Sequence, residues 1–438
     1  MLKQFQKLKP RDIYLNRLIA FQDKEPVKVV TGIRRCGKSC LLKLMQKHLL
    51  DSGIQQNQII AMNFESMEYR NLDVQAFYHS IKDRVLPDKK MYLFFDELQR
   101  LDQWEDAVNS FRIDFDCDIY ITGSNAYLLS SEYSTYLSGR YVEIKMLPLS
   151  FREFLDFHEY EIREYESPLG IQKRAYDSSG EMALWEDLFE AFLHYGGMPG
   201  ITDIALEQEK VFILLDGIYS TIVVRDILER EKRRGERRIT DPILLRKIIL
   251  FLADYIGNNT SLNSISNTLV SENLLRDRKK YDKPATQTIA AYVGALQEAY
   301  MFYEIKRFDV KGKEKLKTLG KYYIVDIGLR NYLLGYRDID TGHILENIVF
   351  FELLRRGFDV AIGKIGDKEI DFIATKDEEK IYYQITDDMT AESTKERELA
   401  PLRAVRDNYE KIVIAMKTPT TASIEGIKIV RLIDFLLE

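Results

Sequence analysis

Short apolar runs recur through the first third of the chain, at residues 27–31 (VKVVT), 58–64 (QIIAMNF), 91–95 (MYLFF), 118–122 (DIYIT) and 141–146 (YVEIKM). Between them the apolar positions fall at helical spacing, as in 38–50 (KSCLLKLMQKHLL), 72–85 and 102–115. Strands with so few polar positions are buried on both faces. Their alternation with helices predicts an α/β fold with a mostly parallel sheet over residues 1–147.

The pattern changes at LPLSFREFL (147–155). Ser150 with Glu153 fits a capping box, and Leu149 with Phe154 occupies the flanking staple positions. Residues 148–240 read as a mostly helical lid, interrupted by a tight turn at YGGMPG (195–200). Helices are expected near 242–256, 262–270 and 284–299, then a strand at 301–308, a charged tip and a strand at 321–325. Three helices and a hairpin predict a winged-helix-like domain over 241–335. Residues 336–438 (helix 343–356, then VAIGKI, EIDFIA and KIYYQIT, a helix near 396–408, and two more apolar runs) predict a small α/β domain.

Composition narrows the setting. The 438 residues carry 63 Lys and Arg against 69 Asp and Glu, a formal charge of −6. That balance disfavours a protein that coats nucleic acid nonspecifically. Three cysteines (Cys36, Cys40 and Cys117) make no disulfide framework and suit a reducing, cytoplasmic compartment. No apolar run approaches a bilayer span, and no apolar segment follows the basic N-terminus, so neither membrane insertion nor a secretion signal is expected. The five histidines are scattered and form no pair with zinc-site spacing.

The chemistry concentrates at Gly32-Ile33-Arg34-Arg35-Cys36-Gly37-Lys38-Ser39, which matches G-x-x-x-x-G-K-[ST] and is followed by Cys40. A strand leads into this loop and a helix leaves it. Its amides would turn inward around a phosphate, Gly32 and Gly37 permitting the close approach. Lys38 would reach the β- and γ-phosphates, and the Ser39 hydroxyl would ligate Mg²⁺. Tyr92-Leu93-Phe94-Phe95-Asp96-Glu97 is an apolar strand ending in two acids. Asp96 would hold the Mg²⁺ hydration shell, and Glu97 would act as general base toward water. In ITGSN (121–125), Ser124 or Asn125 would hydrogen-bond the water or γ-phosphate, or else cap a helix. Arg140 would lend charge to a transition state, in this subunit or a neighbouring one, or sit in a surface ion pair. Cys36, inside the loop, is either an oxidation-sensitive position or a small filler.

The segments GIRRCGKSCLL, YLFFDELQ, ITGSNA, LSGRYVEIKMLPLSFREFL and YGGMPG resemble a prokaryotic AAA-like ATPase family, whose members carry a C-terminal domain of unknown function. The likeness spans about 27–200 and continues more weakly to the end. It implies a P-loop NTPase sheet with an additional strand between the acid-bearing strand and the phosphate-loop strand. It also implies ATP as the nucleotide. The C-terminal part resembles restriction-endonuclease-like folds, which hold a metal ion on acids and activate water with a lysine. Glu346, Asp371 and Gln384 match the metal-binding positions. Thr386 stands where the lysine is expected, so the module reads as degenerate and nuclease activity is not expected.

Basic clusters occur at 232–238, 276–280 and 311–317, and the second and third flank the third helix of the winged-helix-like region and form its wing. Its first residues Thr286, Gln287 and Thr288 suit base edges, so duplex DNA is an expected partner through 276–317, against a solvated charged surface as the alternative. Tyr292, Leu296 and Tyr300 read as core. The functional expectation is an Mg²⁺-dependent ATPase acting on or near DNA, with homo-oligomerisation open. The alternative is a nucleotide-gated signalling switch that binds proteins and turns over slowly.

Overall fold

A computed structural model describes residues 8–124, 139–167, 170–229, 239–271, 284–310, 312, 314–337, 341–419 and 421–438. The chain forms two compact units, residues 1–148 with 298–300, and residues 149–297 with 301–438.

In the first unit a helix, α1 (Asp12–Ala20), precedes the strand β1 (Val27–Thr31). The phosphate loop follows, then α2 (Lys38–Asp51), β2 (Ile59–Asn63), α3 (Val74–Lys82) and β3 (Met91–Asp96). The remaining elements are α4 (Trp104–Asp114), β4 (Cys117–Gly123) and β5 (Tyr141–Lys145). The strands pair in parallel in the order β2-β3-β4-β1-β5. The acid-bearing β3 is thus separated from β1 by β4, the arrangement that the family resemblance implies. Every residue of β1 and β3 is buried, which is why these runs are apolar almost throughout. Val29, Leu93, Phe95, Phe77, Phe111 and Ile121 are among the residues of one core packed against this sheet. Parallel strands all end on one side, so the chain segments leaving β1, β3 and β4 converge there.

The second unit opens with α5 (Phe151–Phe157), closed at its start as expected: the Ser150 hydroxyl accepts from Glu153 N–H at 3.0 Å, and the Glu153 carboxylate accepts from Ser150 N–H at 2.9 Å. Residues 148–240 are not helical throughout. Strands β6 (Glu161–Ser167), β7 (Gly170–Tyr176) and β8 (Met182–Ala183) form an antiparallel sheet before α6 (Trp185–Tyr195) and α7 (Gln208–Thr221). Their solvated, charged positions conceal the alternation that marks a half-buried strand.

The three predicted helices are present as α8 (Pro242–Asp254), α9 (Leu262–Ser271) and α10 (Thr286–Glu298), followed by the hairpin β9 (Phe302–Asp309) and β10 (Glu314–Ile324). After α11 (Ile327–Leu334) and α12 (Thr341–Arg355) come β11 (Asp359–Ile365), β12 (Lys368–Lys376) and β13 (Glu379–Asp388). The chain ends with α13 (Glu392–Ala404), β14 (Glu410–Lys417), β15 (Ser423–Ile424), β16 (Ile427–Arg431) and α14 (Leu432–Leu436). The hairpin does not stand apart from this last region. One eight-stranded sheet runs β10-β9-β11-β12-β13-β14-β16-β15, with β9 pairing β11 in parallel. The expected boundary at 335/336 therefore falls inside a unit whose sheet draws strands from both sides of it. Backbone pairing between residues distant in sequence creates that continuity, and local pattern does not reveal it.

Gly196 and Gly197 of the YGGMPG turn are held by close approach: a Cβ on Gly196, at φ +77°, would stand 2.5 Å from Asp326 Oδ1. Gly197 N–H donates to Asp326 Oδ2 at 2.7 Å, and Leu149 N–H donates to the Gly197 carbonyl at 2.7 Å. A Cβ on Gly197 would stand 2.3 Å from the Leu149 carbonyl oxygen.

Candidate nucleotide site

The loop between β1 and α2 is set by two glycines with left-handed or related backbone angles. Gly32 has φ +139°, and a Cβ there would lie 2.1 Å from the Met146 carbonyl oxygen. Gly37 has φ +105° and directly precedes α2. Arg35 also takes a positive φ, 64°. Ile33 and Cys36 are buried, whereas Arg35 and Cys40 are exposed. The Arg34 guanidinium pairs with Glu65 at 3.1 Å.

Lys38 is buried and donates to the carbonyls of Gly32 at 2.9 Å and Ile33 at 3.1 Å, so its ammonium lies over its own loop. The N-terminal end of α2 points into the same space, where its free amides and dipole favour an anion. An anion with several phosphoryl oxygens fits this set of amides and one ammonium.

Asp96 closes the other side. Asn63 donates to Asp96 Oδ2 at 3.0 Å, Thr122 Oγ1 donates to Oδ1 at 2.5 Å, and Asp96 also shares a hydrogen bond with the Ser39 hydroxyl. Burial pushes the Asp96 carboxyl up from its ordinary pKa, and the Glu97 charge adds to that. The Thr122 and Ser39 bonds and the Lys38 charge pull it back. Among the described residues no three His, Cys, Asp or Glu side chains are grouped to hold a metal. One hydroxyl and one carboxylate beside a phosphate loop do fit Mg²⁺, a hard ion that keeps waters and takes further oxygens from phosphates. Ser39 and Asp96 are the residues that would hold it.

Glu97 is buried and adopts φ 55°, ψ 40°, a left-handed conformation uncommon for a residue with a side chain. Its N–H donates to Thr122 Oγ1 at 3.0 Å, and its Oε2 accepts from Ser124 Oγ at 3.2 Å and Gln99 Nε2 at 2.6 Å. Ser124 therefore stands beside the proposed base, while Asn125 lies outside the described residues. Arg140 is not part of this cluster. It is exposed, and its carbonyl accepts from Val27 N–H at 2.9 Å at the start of β1, roughly 13 Å of strand away from the loop that follows Thr31. Within one chain it sits at the end of the sheet opposite the phosphate loop, a placement compatible with the neighbouring-subunit role or with a surface ion pair.

Arg11 escaped the sequence reading. It is buried and donates to the Cys36 carbonyl at 3.1 Å and the Leu147 carbonyl at 3.0 Å, tying the phosphate loop to the end of β5. Nothing in its basic surroundings distinguishes it from other N-terminal cations.

A second cluster lies in the C-terminal sheet. Lys321 on β10 is buried between Glu346 Oε2 and Glu369 Oε1, each at 3.0 Å, and Tyr323 donates to Glu346 Oε2 at 2.6 Å. Burial works against ionisation of Glu346, yet the Lys321 ammonium, with His343 and Tyr323, holds its carboxyl down to about 2. Asp371 is driven well above the carboxylate range by burial and by the Glu346 charge, although Oδ2 accepts from Ile385 N–H at 2.8 Å. Gln384 and Thr386 are buried on β13, and Gln384 Oε1 has no hydrogen-bond partner. Thr386 supplies no cation, but Lys321, from a strand far away in sequence, does.

Of the DNA-facing expectation, residues 232–238, 276–280, 311 and 313 lie outside the described residues. Gln287 is exposed, Thr286 is exposed with its hydroxyl donating to Asn263 Oδ1 at 2.6 Å, and Tyr292, Leu296 and Tyr300 are core. No helix among the described residues is long and apolar enough to cross a membrane.

Comparison with known proteins matches an AAA domain at residues 24–155 and a domain of unknown function at 186–340. An uncharacterised protein of Haemophilus influenzae is 39% identical over 430 residues, covering 98% of each chain. An uncharacterised protein of Methanocaldococcus jannaschii is 32% identical over 390 residues, covering 87% of this chain and 79% of that one. Among solved structures, a Walker-type ATPase of Pyrococcus abyssi aligns at 15% identity with a TM-score of 0.47, over 74% of this chain and 95% of that one.

Proposed function

The chain belongs to the AAA-like ATPases that carry a C-terminal domain of unknown function, and we propose that it binds ATP with Mg²⁺ and hydrolyses it to drive its C-terminal modules on or near DNA. The observation that carries the reading is the convergence of Lys38, Ser39, Asp96 and Glu97 at one end of the parallel sheet. Lys38 and the amides at the start of α2 bind the phosphates, and Ser39 and Asp96 hold the ion. When bound, Mg²⁺ neutralises charge on the β- and γ-phosphates. Glu97 takes a proton from the attacking water, with Ser124 and Gln99 orienting its carboxylate. Arg140 would complete a neighbouring subunit's site. The scattered cysteines favour the cytoplasm.

The DNA part rests on the basic clusters at 276–317 and the exposed start of α10. It is tested by phosphate release with and without duplex DNA across a range of salt. Stimulation that falls steeply with salt supports it. A nucleotide-dependent change in oligomeric state with no DNA effect supports the signalling alternative.

One observation favours a second activity in the C-terminal domain. Lys321 brings to the Glu346, Asp371 and Gln384 cluster the cation that Thr386 cannot supply. Metal-dependent nicking of plasmid DNA, retained in Lys38→Ala and lost in Lys321→Ala protein whose unfolding midpoint shows it to be folded at the assay temperature, would establish it. Intact plasmid throughout would leave the cluster a binding or structural element.

A further inference from the structure

We propose that Gln99 is a positioning residue for the proton-accepting carboxylate, fixing which oxygen of Glu97 receives the proton. The proposal rests on the ATPase reading above. Gln99 Nε2 and Ser124 Oγ both donate to Glu97 Oε2, at 2.6 and 3.2 Å. Oε1 receives no bond from any described residue and keeps its accepting capacity. In hydrolysis the water's proton passes to Oε1 and the water oxygen bonds the γ-phosphorus. The β–γ bridging bond breaks, and its electron pair leaves with ADP.

Three features show that Gln99 is held for this contact. It sits on a single helical turn, Leu98–Arg100, which starts at the left-handed Glu97. That turn is anchored on both sides, by Leu98, which has no solvent exposure, and by Arg100, whose guanidinium pairs with Glu65 at 3.2 Å. The amide can face a carboxylate only through its NH₂ end, and this leaves Gln99 Oε1 buried without a hydrogen-bond partner. An unsatisfied buried acceptor carries a free-energy penalty, and the Nε2 bond to Glu97 is the contact this side chain makes against it. Asn63 serves the neighbouring acid instead, donating to Asp96. The two acids are therefore oriented by separate amides.

The test is steady-state and single-turnover ATP hydrolysis by Gln99→Met, which keeps side-chain length but removes the donor. The expected result is a fall in kcat of about 10- to 100-fold with KM for ATP changed less than about twofold. In a Glu97→Gln background, Gln99→Met should cost nothing further, because the residue acts through Glu97. If Gln99→Met melts early, Gln99→Asn, whose amide is one methylene too short to reach, is read in the same way. Unchanged kcat, parallel changes in kcat and KM, or a full additional loss in the Glu97→Gln background would overturn the assignment. Wild-type protein without ATP turnover overturns this and the ATPase reading together. Normal turnover in both wild type and Gln99→Met overturns only the role of Gln99.

Discussion

Asn63 and Asp96 end adjacent parallel strands in register, and the Asn63 amide donates to Asp96 Oδ2 at 3.0 Å. The bond aims a buried carboxylate whose pKa is already raised by burial, leaving it paired with Thr122 and Ser39 on its remaining sides. Asn63→Ala should weaken ATP binding in Mg²⁺ about tenfold, or about 1.4 kcal/mol. Calorimetric titration of the folded variant checks this; unchanged affinity would remove Asn63 from the site.

Gly32→Ala should break the phosphate loop, since the added methyl meets the Met146 carbonyl at 2.1 Å and the backbone stands at φ +139°. The expected cost is about 1–3 kcal/mol of stability together with loss of nucleotide binding. Denaturant unfolding and a nucleotide titration measure the two effects separately.

Glu97→Gln keeps shape and removes the proton acceptor. Hydrolysis should fall by about 100-fold or more while ATP affinity holds. Wild-type turnover in this variant would show that another group takes the proton.

Much of the first unit was legible because its strands are buried on both faces and its phosphate loop is a local pattern. The capping box at Ser150 was legible for the same reason, as a rule that spans only four residues. The sheet at 161–183 was not: residues 161–166 are all exposed or half-buried, so charge interrupts the apolar signal of that strand. Lys321 was also out of reach. It stands next to Glu346 and Glu369 only because β10 joins the C-terminal sheet, a pairing that no local spacing encodes. Arg140 was found as a residue, but only the strand register put it at the far end of β1 from the phosphate loop.

Lys321→Met should destabilise the second unit by about 3–5 kcal/mol, because it leaves buried Glu346 beside Asp371 without its main counter-charge, with His343 remaining. Adding Glu346→Gln should recover part of the loss. Denaturation midpoints of the single and double variants check the pairing.

Burial raises Asp326 to about 6, although backbone amides from Gly197, Leu329 and Gly328 oppose the shift. A carboxyl with a folded-state pKa above its unfolded value contributes stability that is complete below about 3.8 and is lost as pH rises through about 6. Relative to Asp326→Asn, the wild type should therefore lose about 2 kcal/mol between pH 4 and pH 7. Unfolding of both proteins across that range gives the difference directly, and a flat or opposite slope would contradict it.

The most direct measurement is calorimetric titration of folded full-length protein with ATP in Mg²⁺, alongside Lys38→Ala. One saturable site per chain in the wild type, abolished in the variant, is the predicted result. No binding heat in the wild type, or equal affinity in Lys38→Ala, would contradict the assignment of the β1–α2 loop as a phosphate-binding site.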